Sequence, residues 1–229
     1  MHIFIKKQNV GGHSLFKENR RGEPICLWCL RDLYHDATLF SLFDDRLKLC
    51  LDCQMKLTYK KIRFILDGVE VVSFFEYDKH ISDLLILYKE HCDEALAPLF
   101  FDRVKKQINK EYREHTCIPL PSSSQKVAQR GFHHLHRMID SLNLEVADVL
   151  IKTQDVKQAQ LSKEARSHID LVFEIKKDID CSFKKVVLID DVCTTGASLK
   201  AAAALISPYC KELCAITFAY HPLWKTKAA

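Results

Sequence analysis

The sequence predicts an α/β fold, in which helices cover both faces of a mainly parallel sheet, preceded by a small module that carries four cysteines. Residues 186–199 have the pattern of a buried strand, a short polar loop and the start of a helix. Strand-like and helix-like stretches alternate from about residue 117 to the C-terminus, which is typical of βα units in a parallel sheet. Two Cys-x-x-Cys pairs lie within residues 26–53. These three observations fix the expected architecture.

The stretch 186–199 also carries the strongest chemical signal. Residues 186–189 are branched and apolar, as in a strand buried on both faces. Asp190 and Asp191 follow at once, then a loop rich in hydroxyls, then the alanine-rich residues 200–206, which favour a helix. Backbone N–H groups at such a helix start bind phosphate, and paired carboxylates suit ribose hydroxyls or a divalent cation. The alternative is an ordinary βα turn in which these side chains cap the helix, although capping alone does not require both acids and both threonines.

This segment resembles the phosphoribosyl-pyrophosphate (PRPP) motif of type I phosphoribosyltransferases, with no gap over fourteen positions. The resemblance implies that Asp190 and Asp191 are the catalytic acids, which hold the ribose hydroxyls and a hydrated Mg²⁺. It also implies a phosphate loop over 193–198, and it places a pyrophosphate loop near 121–124. The PRPP-binding residues expected on this basis are Asp190, Asp191, Val192, Cys193, Thr194, Thr195, Gly196, Ala197 and Ser198, with Arg130 adding positive charge.

The cysteine pairs Cys26-x-x-Cys29 and Cys50-x-x-Cys53 have nearly the spacing of a zinc ribbon. Four thiolates would close a tetrahedral site with no open position, so we expect a structural zinc ion. Disulfides or incidental cysteines are the alternatives. The N-terminus lacks the long apolar run of a secretory signal, which favours a reducing cytoplasm where disulfides would not persist.

Composition and charge narrow the function classes. Hydrophobic residues make up 48% of the 229-residue chain, enough for a core, and no apolar stretch is long enough to span a bilayer. The formal net charge of +4 predicts no partner by itself. Basic residues are concentrated in 103–137, a region that suits phosphates of a nucleotide or of nucleic acid. A solvated helix face over 105–113 is the alternative for its first half.

The pattern divides the chain into an arm over 1–24, a zinc ribbon over 25–58 and a phosphoribosyltransferase-like domain over 59–229. Gly11-Gly12 and Arg20-Arg21 mark the arm as loose or as a short strand, and Asp44-Asp45 mark a turn in the ribbon. The expected strands are 69–77, 117–120, 186–189 and 214–220. The expected helices are 78–112, bent or restarted at Pro98, and 132–142.

A zinc ribbon ahead of such a domain is similar to the ComF family of bacterial competence proteins. Segments 87–96, 118–132 and 152–168 also resemble that family's motifs. The resemblance implies a cytoplasmic protein of DNA uptake that works on single-stranded DNA beside a ComFA-type ATP-dependent translocase. An active phosphoribosyltransferase with an unidentified acceptor base and a non-catalytic, PRPP-sensing regulator are the alternatives.

Three smaller features have two interpretations each. The thiol of Cys193 lies near a helix start that can lower its pKa, but a residue that simply fits the loop is favoured. The cluster His133, His134 and His136 suits a metal, but a solvated or phosphate-facing role on an exposed helix is favoured. A loop with Lys152, Gln158 and Lys163 is expected to close over the site.

Overall fold

The computed structural model describes residues 4–9, 13–19, 22–33, 48–152, 173–176 and 182–227. Their centre is a six-stranded sheet in the order β4-β5-β11-β10-β6-β7. The β4–β5 pair is antiparallel and the other four pairs are parallel. The strands of this sheet are β4 (Tyr59–Leu66), β5 (Val69–Glu76), β6 (Thr116–Pro119), β7 (Glu145–Val146), β10 (Phe183–Cys193) and β11 (Cys210–Tyr220).

Short helices connect these strands. Two further strands, β8 (Leu150–Lys152) and β9 (Phe173–Ile175), pair antiparallel in a separate small sheet. The α-helices are α1 (Leu51–Lys56), α2 (Lys79–Lys89), α3 (Pro98–Phe101), α4 (Lys105–Glu111), α5 (Ser124–Arg130), α6 (His134–Ile139) and α7 (Ala197–Ile206). Single-turn or longer 3₁₀ segments lie at Glu94–Leu96, Ser207–Tyr209 and Pro222–Lys227. Within the described part of the chain, no helix is long and apolar enough to cross a membrane.

The buried strand expected at 186–189 is confirmed. Val186, Val187, Leu188 and Ile189 are completely buried, since β10 has β11 on one side and β6 on the other. The strand continues through Asp190 and Asp191, so the two acids lie at the carboxyl end of a central strand. Ligands of open α/β sheets bind at this edge.

The N-terminal region is more ordered than a loose arm. Strands β1 (Phe4–Asn9), β2 (His13–Glu18) and β3 (Pro24–Ile25) form a three-stranded antiparallel sheet, which the sequence analysis did not predict beyond one short strand. The positions Gly11-Gly12, Arg20-Arg21 and Asp44-Asp45 lie outside the described residues.

The helix expected over 78–112 is wrong in its extent. Asp78 caps α2 by accepting a hydrogen bond from the Ile81 N–H, but the helix ends at Lys89. Cys92 then adopts a left-handed conformation with φ of 57°, which a continuing helix does not allow. Pro98 starts α3, as expected of a residue without an N–H. A helix is present within the expected range 132–142, but it is shorter and covers only His134–Ile139.

Candidate functional site

A cavity of about 390 Å³ lies at the carboxyl ends of β6 and β10. Its position follows from the pairing of Ile189 with Pro119 in parallel register, because the loop after β6 then starts beside Asp190 and Asp191 of β10. Polar groups from both loops, from α2 and from α5 face it, together with an apolar wall. The polar and loop residues that line the cavity include Lys89, Ser122, Arg130, His134, Lys152, Asp190, Asp191, Val192, Thr194 and Ser198.

The two acids have different surroundings. One Asp190 oxygen, Oδ1, accepts a hydrogen bond from the Asp191 N–H at 2.9 Å. Asp191 Oδ2 accepts from Lys89 Nζ at 2.5 Å and contacts His134 Nε2 at 3.0 Å. Burial, and then the neighbouring Asp191 charge, raise the pKa of Asp190 above its ordinary value. Although burial opposes it, Lys89 and His134 hold the pKa of Asp191 well below its ordinary range.

His134 joins Asp191 to the loop after β6. Its Nδ1 lies 3.0 Å from Ser122 Oγ, and its Nε2 contacts Asp191. Burial lowers the pKa of His134, which favours the neutral ring. A neutral ring satisfies both contacts when Nε2–H donates to Asp191 and Nδ1 accepts from the Ser122 hydroxyl. Tyr88 donates its hydroxyl proton to the His134 carbonyl at 2.7 Å and so fixes the backbone here.

The loop before α7 is held by a left-handed glycine and by side-chain contacts. Gly196 has φ of 80° and caps α7. A Cβ at this position would lie 2.7 Å from Leu66 Cδ2, so β4 packs directly against the loop. Thr195 Oγ1 accepts a hydrogen bond from the Ala197 N–H at 3.3 Å, and Trp224 Nε1 donates to the Thr194 carbonyl at 2.7 Å. Thr194 before the start of α7 and Ser198 in its first turn line the cavity, so the cavity lies near the positive end of the helix dipole.

Arg130 brings a cation to the opposite wall. Only 8% of this residue is exposed, and its Nε donates to the Lys89 carbonyl at 3.0 Å. The guanidinium lies over the Phe132 ring, at 5.9 Å from the ring centroid. Its buried Nη1 has no hydrogen-bond partner among the described residues. A buried guanidinium N–H without a partner is unfavourable, and an anionic ligand would supply the missing acceptor.

The four cysteines form a second site, away from the cavity. The sulfur atoms of Cys26, Cys29, Cys50 and Cys53 all lie within 4.8 Å of one another, and Cys29 Sγ is 3.6 Å from Cys50 Sγ. Zn–S bonds of about 2.3 Å place the sulfurs of a tetrahedral site about 3.8 Å apart, so the cluster can hold a zinc ion. Although burial opposes it, the Arg31 guanidinium lowers the pKa of the Cys29 thiol to about 6, which favours the metal-binding thiolate.

Sequence comparison shows which known proteins this chain is similar to. A family model described as a phosphoribosyl transferase domain matches residues 127–223. The competence protein ComFC of Streptococcus pneumoniae is 28% identical over 69% of this chain and 68% of its own length. The competence protein ComFC of Bacillus subtilis is 27% identical over 67% of this chain and 64% of its own length.

This chain is ComFC-like and has a phosphoribosyltransferase fold. The chain spans about two thirds of the length of these relatives. A hypoxanthine phosphoribosyltransferase from Staphylococcus aureus has a TM-score of 0.34 at 18% identity, covering 57% of this chain and 66% of its own. An adenine phosphoribosyltransferase has a TM-score of 0.39 at 18% identity, covering 76% of this chain and 90% of its own.

The structure brings most of the expected ligand-binding residues of this ComFC-like chain to one cavity. The two acids, Val192, Thr194, Ser198 and Arg130 line it. Cys193 does not contribute a reactive thiol, because burial raises its pKa to about 12, in line with the favoured interpretation that it fits the loop. Lys152 lines the cavity, whereas Gln158 and Lys163 of the expected closing loop, with the rest of the motif from Thr153 to His168, lie outside the described residues.

The histidine cluster separates into three environments. His133 is exposed, and His136 contacts Asp148 Oδ1 at 2.6 Å. His134 is buried beside Asp191 and faces the cavity, whereas the exposed positions expected for the cluster are those of His133 and, in part, His136. It lies on the buried side of α6 together with Leu135, Met138 and Ile139.

Most basic side chains of 103–137 already have partners. Arg103 donates to the Leu57 carbonyl, Lys105 pairs with Asp102 and Arg113 pairs with Glu114. Arg137 contacts both Glu94 and Asp140. The stretch is therefore less available for a polyanion than its sequence indicates.

Sequence reasoning missed two contributors to the site. Lys89 lies inside a segment that resembles the family, but nothing in that segment identified it as the cation beside Asp191. Trp224 lies beyond the last predicted strand and was not considered. The only available signal was the type of residue, a lysine or tryptophan close to a recognised motif.

Proposed function

We propose that this protein binds PRPP or a related 5-phosphoribosyl ligand together with Mg²⁺, and that it acts in natural transformation. One observation carries the proposal, namely that the acid pair, the hydroxyl-rich loop and Arg130 converge on one cavity. Each of the three suits a different part of PRPP. The cavity also has the size of common small-molecule sites, which start at about 300 Å³.

The loop over 193–198 would hold the 5′-phosphate with backbone N–H groups and with the hydroxyls of Thr194, Thr195 and Ser198. Asp190 and Asp191 would hold the ribose hydroxyls. Arg130 would pair with the pyrophosphate, which satisfies its orphaned Nη1. Mg²⁺ suits the acid pair because the donors are carboxylates and Asp190 forms no ion pair with a described side chain; when bound, the ion would neutralise pyrophosphate charge.

The role in DNA uptake rests on the two ComFC relatives, whose names describe competence proteins. We include single-stranded DNA and a ComFA-type ATP-dependent translocase among the proposed partners. Because so many cations of 103–137 are already paired, any DNA contact would involve others, such as Lys106 and Lys110. Such binding should weaken steeply as salt concentration rises.

A second candidate function is transfer of the phosphoribosyl group to a base. The observation in its favour is that apolar and aromatic side chains also line the cavity, namely Tyr77, Leu85, Ile86, Leu120 and Phe173. An apolar wall adjacent to a ribose-binding loop offers a surface for an aromatic ring. Release of pyrophosphate that depends on one particular base would establish this activity.

The deciding experiment is calorimetric titration of the protein with PRPP and Mg²⁺. We expect binding to the native protein, and loss of at least about 100-fold in affinity for the double variant Asp190→Asn/Asp191→Asn, because carboxylate contacts to a metal-bound sugar phosphate disappear. The matched control is Asp83→Asn, an exposed aspartate of α2, which should bind like the native protein. Absence of binding to the native protein, or equal binding to the double variant, would overturn the proposal.

A further inference from the structure

Lys89 lies where it can affect the binding of a metal ion to Asp190 and Asp191. Lys89 is the last residue of α2, and its main chain is fixed by the hydrogen bond from Arg130 Nε to its carbonyl. Its Nζ lies 2.5 Å from Asp191 Oδ2. This ammonium group is thus held against the carboxylate from which a metal ligand is expected.

Asp191 Oδ2 has no capacity left for a cation. A carboxylate oxygen has two lone pairs, and here Lys89 and His134 take both. A metal bound to this oxygen at about 2.1 Å would have to displace one of them. His134 is buried and also tied to Ser122, whereas the Lys89 side chain is 28% exposed at the cavity. The ammonium is the group that can move.

We propose that Lys89 is an internal counterion that competes with the divalent cation for the acid pair until a phosphorylated ligand arrives. The inference rests on the proposed function. Metal alone must displace or tolerate a neighbouring ammonium, so it binds weakly. A phosphoribosyl ligand offers phosphate oxygens to Lys89, which releases Asp191, so that metal and ligand bind cooperatively.

The first measurement uses Mn²⁺ alone as the probe, with free metal determined by electron paramagnetic resonance. We expect Lys89→Met to bind Mn²⁺ about tenfold more tightly than the native protein, because one close, partly screened repulsion is removed. Lys89→Arg, which keeps the charge, should resemble the native protein. The matched control is Lys79→Met, an exposed lysine at the other end of α2, which should leave Mn²⁺ affinity unchanged.

The second measurement is the effect of PRPP on Mn²⁺ affinity. In the native protein PRPP should raise Mn²⁺ affinity, and the same addition should raise it several-fold less in Lys89→Met, where the competitor is already absent. The tighter Mn²⁺ binding of Lys89→Met in the absence of PRPP should disappear in Lys89→Met/Asp191→Asn. Lys89→Gln serves as a second neutral variant, and thermal melting identifies any variant that does not fold.

Unchanged or weaker Mn²⁺ binding in both folded neutral variants would overturn the inference. The result is distinguishable from a failure of the proposed function, because PRPP binding to the native protein is measured separately by calorimetry. If PRPP binds and the neutral variants show no gain, Lys89 is only a structural ion-pair partner and the proposed function stands.

Discussion

Gly196 shows how one residue fixes the geometry of the candidate phosphate loop. Its φ of 80° lies in the left-handed region, where residues with a side chain are strained, and β4 leaves no room for a Cβ. Two constraints therefore fix the conformation of the loop: the left-handed backbone at Gly196 and the packing of Leu66 against this residue. Neither constraint depends on a ligand, so this loop conformation is expected to exist before any ligand binds.

We predict that Gly196→Ala lowers the free energy of unfolding by about 2 kcal/mol or more, from left-handed strain plus the contact with Leu66. Gly131→Ala is the matched control, since Gly131 has φ of 83° but open space around a Cβ. It should lose only the strain, about 1 kcal/mol. Urea unfolding of both variants measures the difference. Equal losses would show that the Leu66 contact contributes nothing.

The acid pair also illustrates what a sequence cannot show at the scale of residues. Asp190 and Asp191 could be assigned because strand, acids and loop are contiguous. The opposite pKa shifts of the two acids could not be predicted from the sequence. The low pKa of Asp191 comes from Lys89 and His134, which are 102 and 57 residues away from it along the chain. The sequence around Lys89 and the sequence around His134 give no sign that both side chains contact the same carboxylate.

At the scale of the elements, the 3₁₀ segment Pro222–Lys227 connects β4 to the loop before α7. Trp224 stacks on Phe64 of β4 with ring centroids 4.6 Å apart, and its Nε1 donates to the Thr194 carbonyl. The segment thereby joins the edge strand to the loop before α7. This contact restrains the loop from a segment that lies outside the strand, loop and helix of residues 183–206.

We predict that Trp224→Phe loosens the loop while keeping the stacked ring. The lost hydrogen bond should lower the free energy of unfolding by about 1 kcal/mol. Amide hydrogen exchange at residues 194–197 should become faster, and PRPP affinity should fall a few-fold. Trp28→Phe, at the other tryptophan of the chain, is the control and should leave exchange in the loop unchanged. Unaltered exchange in Trp224→Phe would contradict the restraint.

The elements themselves were predictable to the extent that their patterns are local. The strands at 69–77 and 186–189 were correct because continuous burial on both faces leaves a run of apolar residues. β4 was missed because it is an edge strand that carries Lys60, Lys61 and Arg63. The charges suit an edge, where they pair with Glu76, Glu111 and Glu70, but they hide the strand in the sequence.

At the scale of the whole molecule, two ion pairs join the region around the cysteine cluster to residues 93–102, which follow α2 in the sheet domain. Lys17, which is 5% exposed, contacts Asp93 and also donates to the Leu27 carbonyl at 3.3 Å. Lys48 contacts Asp102. Leu27, Leu49 and Leu57 belong to the same apolar core as the sheet. The cluster thus packs on the sheet domain through contacts that do not pass through the metal.

Because of this arrangement, we expect loss of zinc to affect the cysteine module strongly and the ligand cavity little. We predict that Cys29→Ser releases zinc and increases hydrogen exchange over residues 25–33 and 48–57, because the metal is a main source of stability in so small a module. PRPP binding should change little, since the acid pair, the loop and Arg130 are positioned by β10, α7 and α5. Cys92→Ser is the control, an exposed cysteine outside the cluster, and should retain zinc.

Metal analysis, hydrogen exchange and calorimetry on the same samples distinguish the outcomes. Zinc loss with local loosening and retained PRPP binding supports a purely structural metal site. Unchanged zinc content in Cys29→Ser would contradict the four-cysteine site. Loss of PRPP binding along with zinc would contradict the independence of the two sites; the Lys17–Asp93 contact, four residues beyond the end of α2, would then be the first connection to test by mutation.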